Sequence, residues 1–153
     1  MFYFLDIDGV LNKESDWKKS FTVNNECLKF FSKLIAHDSD PHIIFSSTWR
    51  AGYSNTGVMS TNGDSLSNLL MEYGITIEDS TPISRKTRQE EIEYYIRRHN
   101  ISTYIILDDD ESLFPWAERI NLYLTDYRTG FTAKDIKKIL KRQSLEFYKH
   151  DNE

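Results

Sequence analysis

The sequence predicts an α/β domain built on a central, mostly parallel five-stranded sheet with helices on both faces. Three observations predict it. Short apolar runs, Phe2-Tyr3-Phe4-Leu5, His42-Ile43-Ile44-Phe45 and Tyr104-Ile105-Ile106-Leu107, have the length and character of strands buried on both faces. Segments with helical apolar spacing lie between such runs, so strands and helices alternate along the chain. These three runs also end on chemistry-bearing side chains: Asp6 and Asp8, Ser46, and Asp108 and Asp109. A chain of 153 residues suits one domain with a single core, spanning residues 1–153, and no linker, repeat or low-complexity tract divides it.

The elements follow in order. After the first strand, Asn12 to Val23 is polar and reads as loop. Asn24 can cap a helix whose apolar side is Leu28, Phe31, Leu34 and Ile35, ended by Ser39-Asp40-Pro41. The second strand leads into Ser46-Ser47-Thr48-Trp49-Arg50 and then a polar loop from Ala51 to Gly63. A helix through Leu66, Leu69, Leu70 and Tyr73 closes at Gly74, and Ile75-Thr76-Ile77 reads as a short third strand. Thr87 caps a helix carrying Ile92, Tyr95 and Ile96 that ends at His99-Asn100. The fourth strand runs into Asp108-Asp109-Asp110-Glu111, and Ile120-Leu122-Tyr123-Leu124 forms the fifth. Gly130-Phe131-Thr132 opens a last helix with Ile136, Ile139 and Leu140 on its apolar side.

Composition narrows the function classes. A formal net charge of −5 gives no general electrostatic attraction to nucleic acid or anionic membrane. The basic run Lys134, Lys137, Lys138, Lys141 and Arg142 reads as a solvated helix face. Cys27 stands alone, so no internal disulfide forms, and a reduced cytoplasmic location is expected. No stretch approaches the roughly 20 apolar residues of a membrane span.

Right-handed crossovers bring the ends of parallel strands to one edge of the sheet, where open α/β sheets bind ligands. Asp6, Asp8, Asp108 and Asp109 would converge there and repel one another unless a cation sat among them. Oxygen-only ligands point to a hard divalent ion, and Mg²⁺ takes a few carboxylates plus waters and a phosphate oxygen. Ser46 can donate to a phosphate oxygen. Arg85, Lys86 and Arg88 cluster where the following helix begins, a solvated charged turn if taken alone, and together with the acids a place where a cation could hold a phosphate and balance them.

The Asp6-Ile7-Asp8-Gly9-Val10-Leu11 form resembles motif I of the haloacid dehalogenase (HAD) superfamily of phosphotransferases. The order that follows, strand plus Ser46, a basic residue opening a helix, then strand plus Asp108-Asp109, is similar to the three other HAD motifs. Ser46-Ser47-Thr48-Trp49-Arg50, the Leu107-Asp108-Asp109-Asp110 ending and Gly130-Phe131-Thr132 also resemble a small capless HAD group. At the third motif Arg88, four residues before Ile92, matches best by spacing, while many members use lysine, which Lys86 supplies.

This resemblance implies a three-layer Rossmann-like HAD fold without a cap domain and a Mg²⁺-dependent phosphomonoesterase. Asp6 would be the nucleophile and form an aspartyl-phosphate. Asp8 would protonate the leaving oxygen and then activate water. Mg²⁺ would be held by Asp6, the backbone carbonyl of Asp8, and Asp109, with Asp108 as a direct ligand or just behind. Ser46 and Arg88 would bind phosphoryl oxygens, with Ser47, Lys86 and Arg50 as further substrate-binding candidates.

Two other classes share these features: a non-catalytic module that binds metal and phosphate, and a HAD phosphotransferase acting on a small metabolite. HAD enzymes that carry a cap insert it just after the first motif or between the second and third. Here the first interval holds a loop and one core-type helix, Asn12 to Asp40, and the second the polar loop Ala51 to Gly63, one helix and one short strand. Neither can bury a core of its own, so an open site is expected. An open site leaves room for a large substrate. That favours a phosphorylated macromolecule, a nucleic-acid end or a phosphoprotein, over a metabolite, with Trp49, Arg50 and Tyr53 offering stacking and phosphate contacts.

Overall fold

The computed structural model describes residues 1–19, 22–52, 61–84 and 86–150. Five strands, β1 Phe2–Leu5, β2 His42–Phe45, β3 Ile77–Ser80, β4 Tyr104–Asp108 and β5 Leu122–Leu124, form one sheet in the order β3-β2-β1-β4-β5. Every neighbouring pair is parallel, so all five carboxyl ends lie on one edge. The helices are α1 Asn25–Ile35, α2 Thr61–Glu72, α3 Arg88–Arg98 and α4 Ala133–His150.

Strand alternation sorts the core into two layers. Tyr3, Leu5, Ile43, Phe45, Ile105 and Leu107 face α1, α2 and α4, where Leu28, Phe31, Leu66, Leu70 and Ile139 complete one cluster. Phe4, Ile44 and Ile106 face the other way, onto Ile92 and Tyr95 of α3 and onto Phe114. Phe4, Leu5, Ile44 and Ile106 are fully buried. Each such side chain contributes about 1.5–3 kcal/mol relative to exposure. The central strands are apolar on successive residues because both faces are covered.

The helix ends follow local chemistry. Asn24 accepts from the backbone N–H groups of Glu26 and Cys27 at 3.0 and 3.2 Å. Thr87 accepts from the Glu90 N–H at 3.2 Å while the Glu90 carboxylate accepts from the Thr87 N–H at 2.9 Å, a reciprocal cap that sets where α3 begins. Among the described residues, no helix is long and apolar enough to cross a membrane.

Three boundaries depart from the expected ones. The strand expected at Ile75-Thr76-Ile77 starts only at Ile77 and continues through Glu78, Asp79 and Ser80. The Ile75 N–H bonds back to Leu70 O at 3.0 Å and finishes α2, so its backbone is spent on the helix end. β3 is an edge strand, and polar residues are tolerated there because one side meets water. The fifth strand begins at Leu122, since the Ile120 N–H closes a preceding turn on Ala117 O at 3.3 Å. Of the expected loop from Ala51 to Gly63, the ends belong to a 3-10 turn at Thr48–Gly52 and to α2. Residues 53–60 lie outside the described residues.

Candidate active site at the carboxyl edge of the sheet

β1 ends in a turn clamped from both sides. The Asp6 N–H bonds to Leu107 O at 3.0 Å, holding Asp6 beside the end of β4. Gly9 has φ +77, and a Cβ there would lie 2.3 Å from Cγ and Oδ2 of Asp109, so only glycine admits that carboxylate. The Gly9 N–H donates to Asn12 Oδ1 at 2.9 Å, and Gly9 O accepts from Thr125 Oγ1 at 2.8 Å. Asp8 is held by two donors, Asn12 Nδ2 at 2.8 Å on Oδ1 and Trp49 Nε1 at 3.2 Å on Oδ2.

Asp6, Asp108 and Asp109 each present an oxygen such that all three lie within 4.8 Å of one another. Arg88, at the first position of α3, bridges two of them: its Nη1 is 3.2 Å from Asp6 Oδ1 and donates to Asp108 Oδ2 at 2.7 Å. Asp108 Oδ1 accepts from the backbone N–H groups of Asp109 and Asp110 at 2.9 and 3.0 Å. Asp110 turns away and caps the short turn Glu111–Leu113 through the Ser112 N–H at 3.0 Å.

Among the described residues, one guanidinium stands against three buried or half-buried carboxylates, which leaves negative charge unbalanced. Burial, and then the Asp108 charge, pushes the Asp6 carboxyl well above the ordinary range, with Arg88 offsetting part of it. Burial also raises Asp108, against the pull of Arg88. Asp109 rises to about 6 through burial and the neighbouring Asp108. Burial works against the Arg88 charge, but Asp6 and Asp108 outweigh it and hold its pKa above the usual value.

The end of β2 adds a buried hydroxyl without a partner among the described residues. The Ser46 N–H bonds to Leu5 O at 3.0 Å, while its Oγ is buried without a hydrogen-bond partner. A buried hydroxyl with no partner carries a desolvation cost that a ligand oxygen can relieve. Ser47 Oγ accepts from the Trp49 N–H at 3.3 Å, shaping the turn.

Arg50, expected as a substrate-binding candidate, is engaged within the chain through both terminal nitrogens. Its Nη1 donates to the carbonyls of Ser46 and Ser47 at 2.8 and 2.9 Å, and its Nη2 pairs with buried Glu91 in α3. Glu91 Oε1 in turn accepts from the Ser84 N–H at 2.7 Å. The pair fastens the β2 turn to the approach to α3, because a cation this deeply buried needs a compensating anion. Trp49 also departs from the expected stacking role: it is 7 % exposed and donates to Asp8. Lys86 is exposed, and Glu90 is the carboxylate that feels its charge. Arg85 and Tyr53 lie outside the described residues.

Asn12, Thr125 and Glu91 are site-shaping residues that sequence reasoning missed. Asn12 sits in a stretch read as loop, and Thr125 follows the last strand with no motif around it. Glu91 left a signal, since a carboxylate one turn before Tyr95 and next to Ile92 lies on the apolar side of α3.

A family model described as the HAD domain in Swiss Army Knife RNA repair proteins matches residues 2–136. Among solved structures, the chain is similar to the crystal structure of D,D-heptose 1.7-bisphosphate phosphatase from B. bronchiseptica, complexed with magnesium and phosphate. That likeness has a TM-score of 0.60 at 16 % sequence identity and covers 95 % of this chain and 98 % of the other, and it concerns the fold. No curated protein matches the chain.

Proposed function

The chain belongs to the family of HAD domains in Swiss Army Knife RNA repair proteins, and from that premise we propose that it is a Mg²⁺-dependent phosphomonoester hydrolase. Its substrate on this reading is the phosphate at the end of a nucleic-acid strand, and residues 1–153 act as one domain. One observation carries it. Three strand ends bring together Asp6, Asp108, Asp109 and the partnerless Ser46 Oγ, with Arg88 reaching in from α3.

The donor set fits Mg²⁺, since it offers three carboxylate oxygens in reach of one another and a surplus of negative charge. Asp6, the Asp8 backbone carbonyl and Asp109 would hold the ion, with Asp108 supporting them through Arg88 and the local backbone. When bound it supplies neutralising charge for the approach of a carboxylate to an anionic ester.

Asp6 attacks phosphorus, forming the acyl phosphate as the bond to the leaving oxygen breaks. Asp8, steadied by Asn12 and Trp49, gives that oxygen a proton. It then takes a proton from water, which attacks phosphorus, breaks the bond to Asp6 and releases inorganic phosphate. Ser46 and Arg88 bind the phosphoryl oxygens on which charge spreads in the transition state.

Two considerations support the nucleic-acid end. The matched family is described by its RNA repair proteins. In the intervals that carry a cap in other HAD enzymes, the described residues form α1, α2 and β3, all part of the core fold, so the site is open. The test is release of inorganic phosphate from a panel of phosphorylated oligonucleotides, phosphopeptides, nucleotides and sugar phosphates, with and without Mg²⁺. The expected result is Mg²⁺-dependent turnover led by oligonucleotide ends. Metal binding without any turnover would leave a binding module, and a lead by sugar phosphates would move the substrate to metabolites.

A further inference from the structure

The nucleic-acid reading asks for an exposed aromatic surface near the phosphate, and Trp49 does not provide one. Another pair does. Trp17, in the loop after β1, and Tyr127, in the loop after β5, stack with ring centroids 5.9 Å apart and planes 23° apart. They are 44 % and 42 % exposed, so two large rings meet water side by side. Contiguous exposed apolar surface of this kind marks contact sites more often than single exposed side chains do.

The pair is joined to the site through one residue. Trp17 Nε1 donates to Asn12 Oδ1 at 2.9 Å, and Asn12 Nδ2 donates to Asp8 Oδ1 at 2.8 Å. The Glu14 N–H bonds to Tyr127 O at 2.9 Å and fixes the two loops against each other. Exposed Lys18 and Lys19 follow Trp17 directly in a chain whose formal net charge is −5. Of the nearby carboxylates, Asp16 accepts from the Lys13 N–H and from Asn24, Asp126 holds Arg128, and Glu14 is exposed beside Tyr127, within reach of the Arg128 charge.

We propose that Trp17 and Tyr127 form a stacking platform for the unpaired base of the terminal nucleotide whose phosphate lies at Asp6. Lys18 and Lys19 supply positive charge for the adjoining phosphodiester. A flat base extends an existing two-ring stack, and such stacking is sequence-tolerant because every base has a π-face. The proposal rests on the nucleic-acid reading above.

The experiment compares kcat/KM for a single-stranded oligonucleotide with a terminal phosphate, for the same strand with an abasic terminal nucleotide, for a phosphopeptide and for glycerol phosphate. Tyr127 is the residue to change, because Trp17 also holds Asn12. Wild type should prefer the base-bearing end over the abasic one by about tenfold. Tyr127→Ala should reduce that preference to within about twofold, and Tyr127→Phe, which keeps the ring, should retain it. A tenfold preference that survives in Tyr127→Ala overturns the platform while leaving the substrate reading intact. Turnover of glycerol phosphate with no turnover of either strand overturns the substrate reading and the platform with it. Better turnover of a phosphopeptide, lost in Tyr127→Ala, would replace the base by a peptide side chain and overturn the proposal.

Discussion

At the amino edge of the sheet Asp38 pairs with the amino group of Met1 at 3.0 Å, and it accepts from the Tyr3 hydroxyl and the Asp40 N–H, each at 3.0 Å. At the carboxyl edge Asp6, Asp108 and Asp109 lie together, and among the described residues Arg88 is the guanidinium paired with two of them. The consequences are opposite. Burial opposes the Asp38 charge, yet the donors around it hold its carboxyl below the ordinary range. Asp6 and Asp109 are driven up, mainly by burial and then by Asp108. One edge is satisfied by the chain itself, and the other is left in deficit for something outside the chain to fill. Stability given up at a site in this way is a common cost of function.

Substitutions can break or sharpen that contrast. The largest effect belongs to Asp6→Asn, which should lower turnover by about 10⁴-fold or more, because the amide keeps the shape but not the nucleophile. The same change should raise the unfolding temperature of the metal-free protein, since it removes a buried charge from the crowded edge. Asp38→Asn should do the reverse, lowering the unfolding temperature with turnover within about twofold of wild type. Paired thermal melts and phosphate-release assays check both, and a destabilised Asp6→Asn would break the contrast.

Next comes the Arg50–Glu91 pair, a counterexample within the carboxyl edge because it is internally balanced. Glu91→Ala leaves a buried guanidinium without its anion and should cost about 3–5 kcal/mol in urea unfolding. Equal stability in that variant would mean water reaches Arg50 and the pair is not a fastening.

A smaller effect concerns pH. A carboxyl whose folded pKa is raised gives full stability below its unfolded pKa and loses it as pH rises through the folded value. Metal-free stability should therefore decline as pH rises from about 4, with Asp109 contributing up to about pH 6 and Asp6 carrying the decline on to higher pH. Asp38 acts with the opposite sign, its contribution being present above the unfolded pKa and lost as pH falls through the lowered folded value. Asp109→Asn should lessen the part of the decline below about pH 6 and gain about 1 kcal/mol at pH 7 after discounting for solvent screening. Melts across pH without metal measure it, and an unchanged slope would count against the deficit.

Much of this arrangement was readable before the fold was known. β1, β2 and β4 were legible because strands covered on both faces must be apolar throughout. Asn24 and Thr87 were legible because capping is a local bargain. Spacing to Ile92 favours Arg88, and among the described residues it is the basic one that meets the acids. What escaped depends on distant partners. Arg50 stands four residues after Ser46, and sequence proximity suggested a shared role. Its anion Glu91 is 41 residues further on, and nothing near Arg50 in the sequence announces that pairing. Trp49 reads as a stacking ring until its indole N–H is seen on Asp8. Trp17 and Tyr127 carry no mutual signal, since only the packing of two loops brings them together. The β3 shift belongs to the same class, because the Ile75-Thr76-Ile77 pattern cannot reveal that Ile75 completes the preceding helix.

The most direct test of the deficit at the carboxyl edge is the rise in unfolding temperature on adding Mg²⁺ to metal-free protein, compared among wild type, Asp109→Ala and Asp110→Ala. A ligand that binds only the folded state stabilises it in proportion to its affinity. Wild type and Asp110→Ala should gain alike, because Asp110 is a cap turned away from the acids. Asp109→Ala should gain little or nothing. No rise in wild type, or the same rise in all three, would contradict the account.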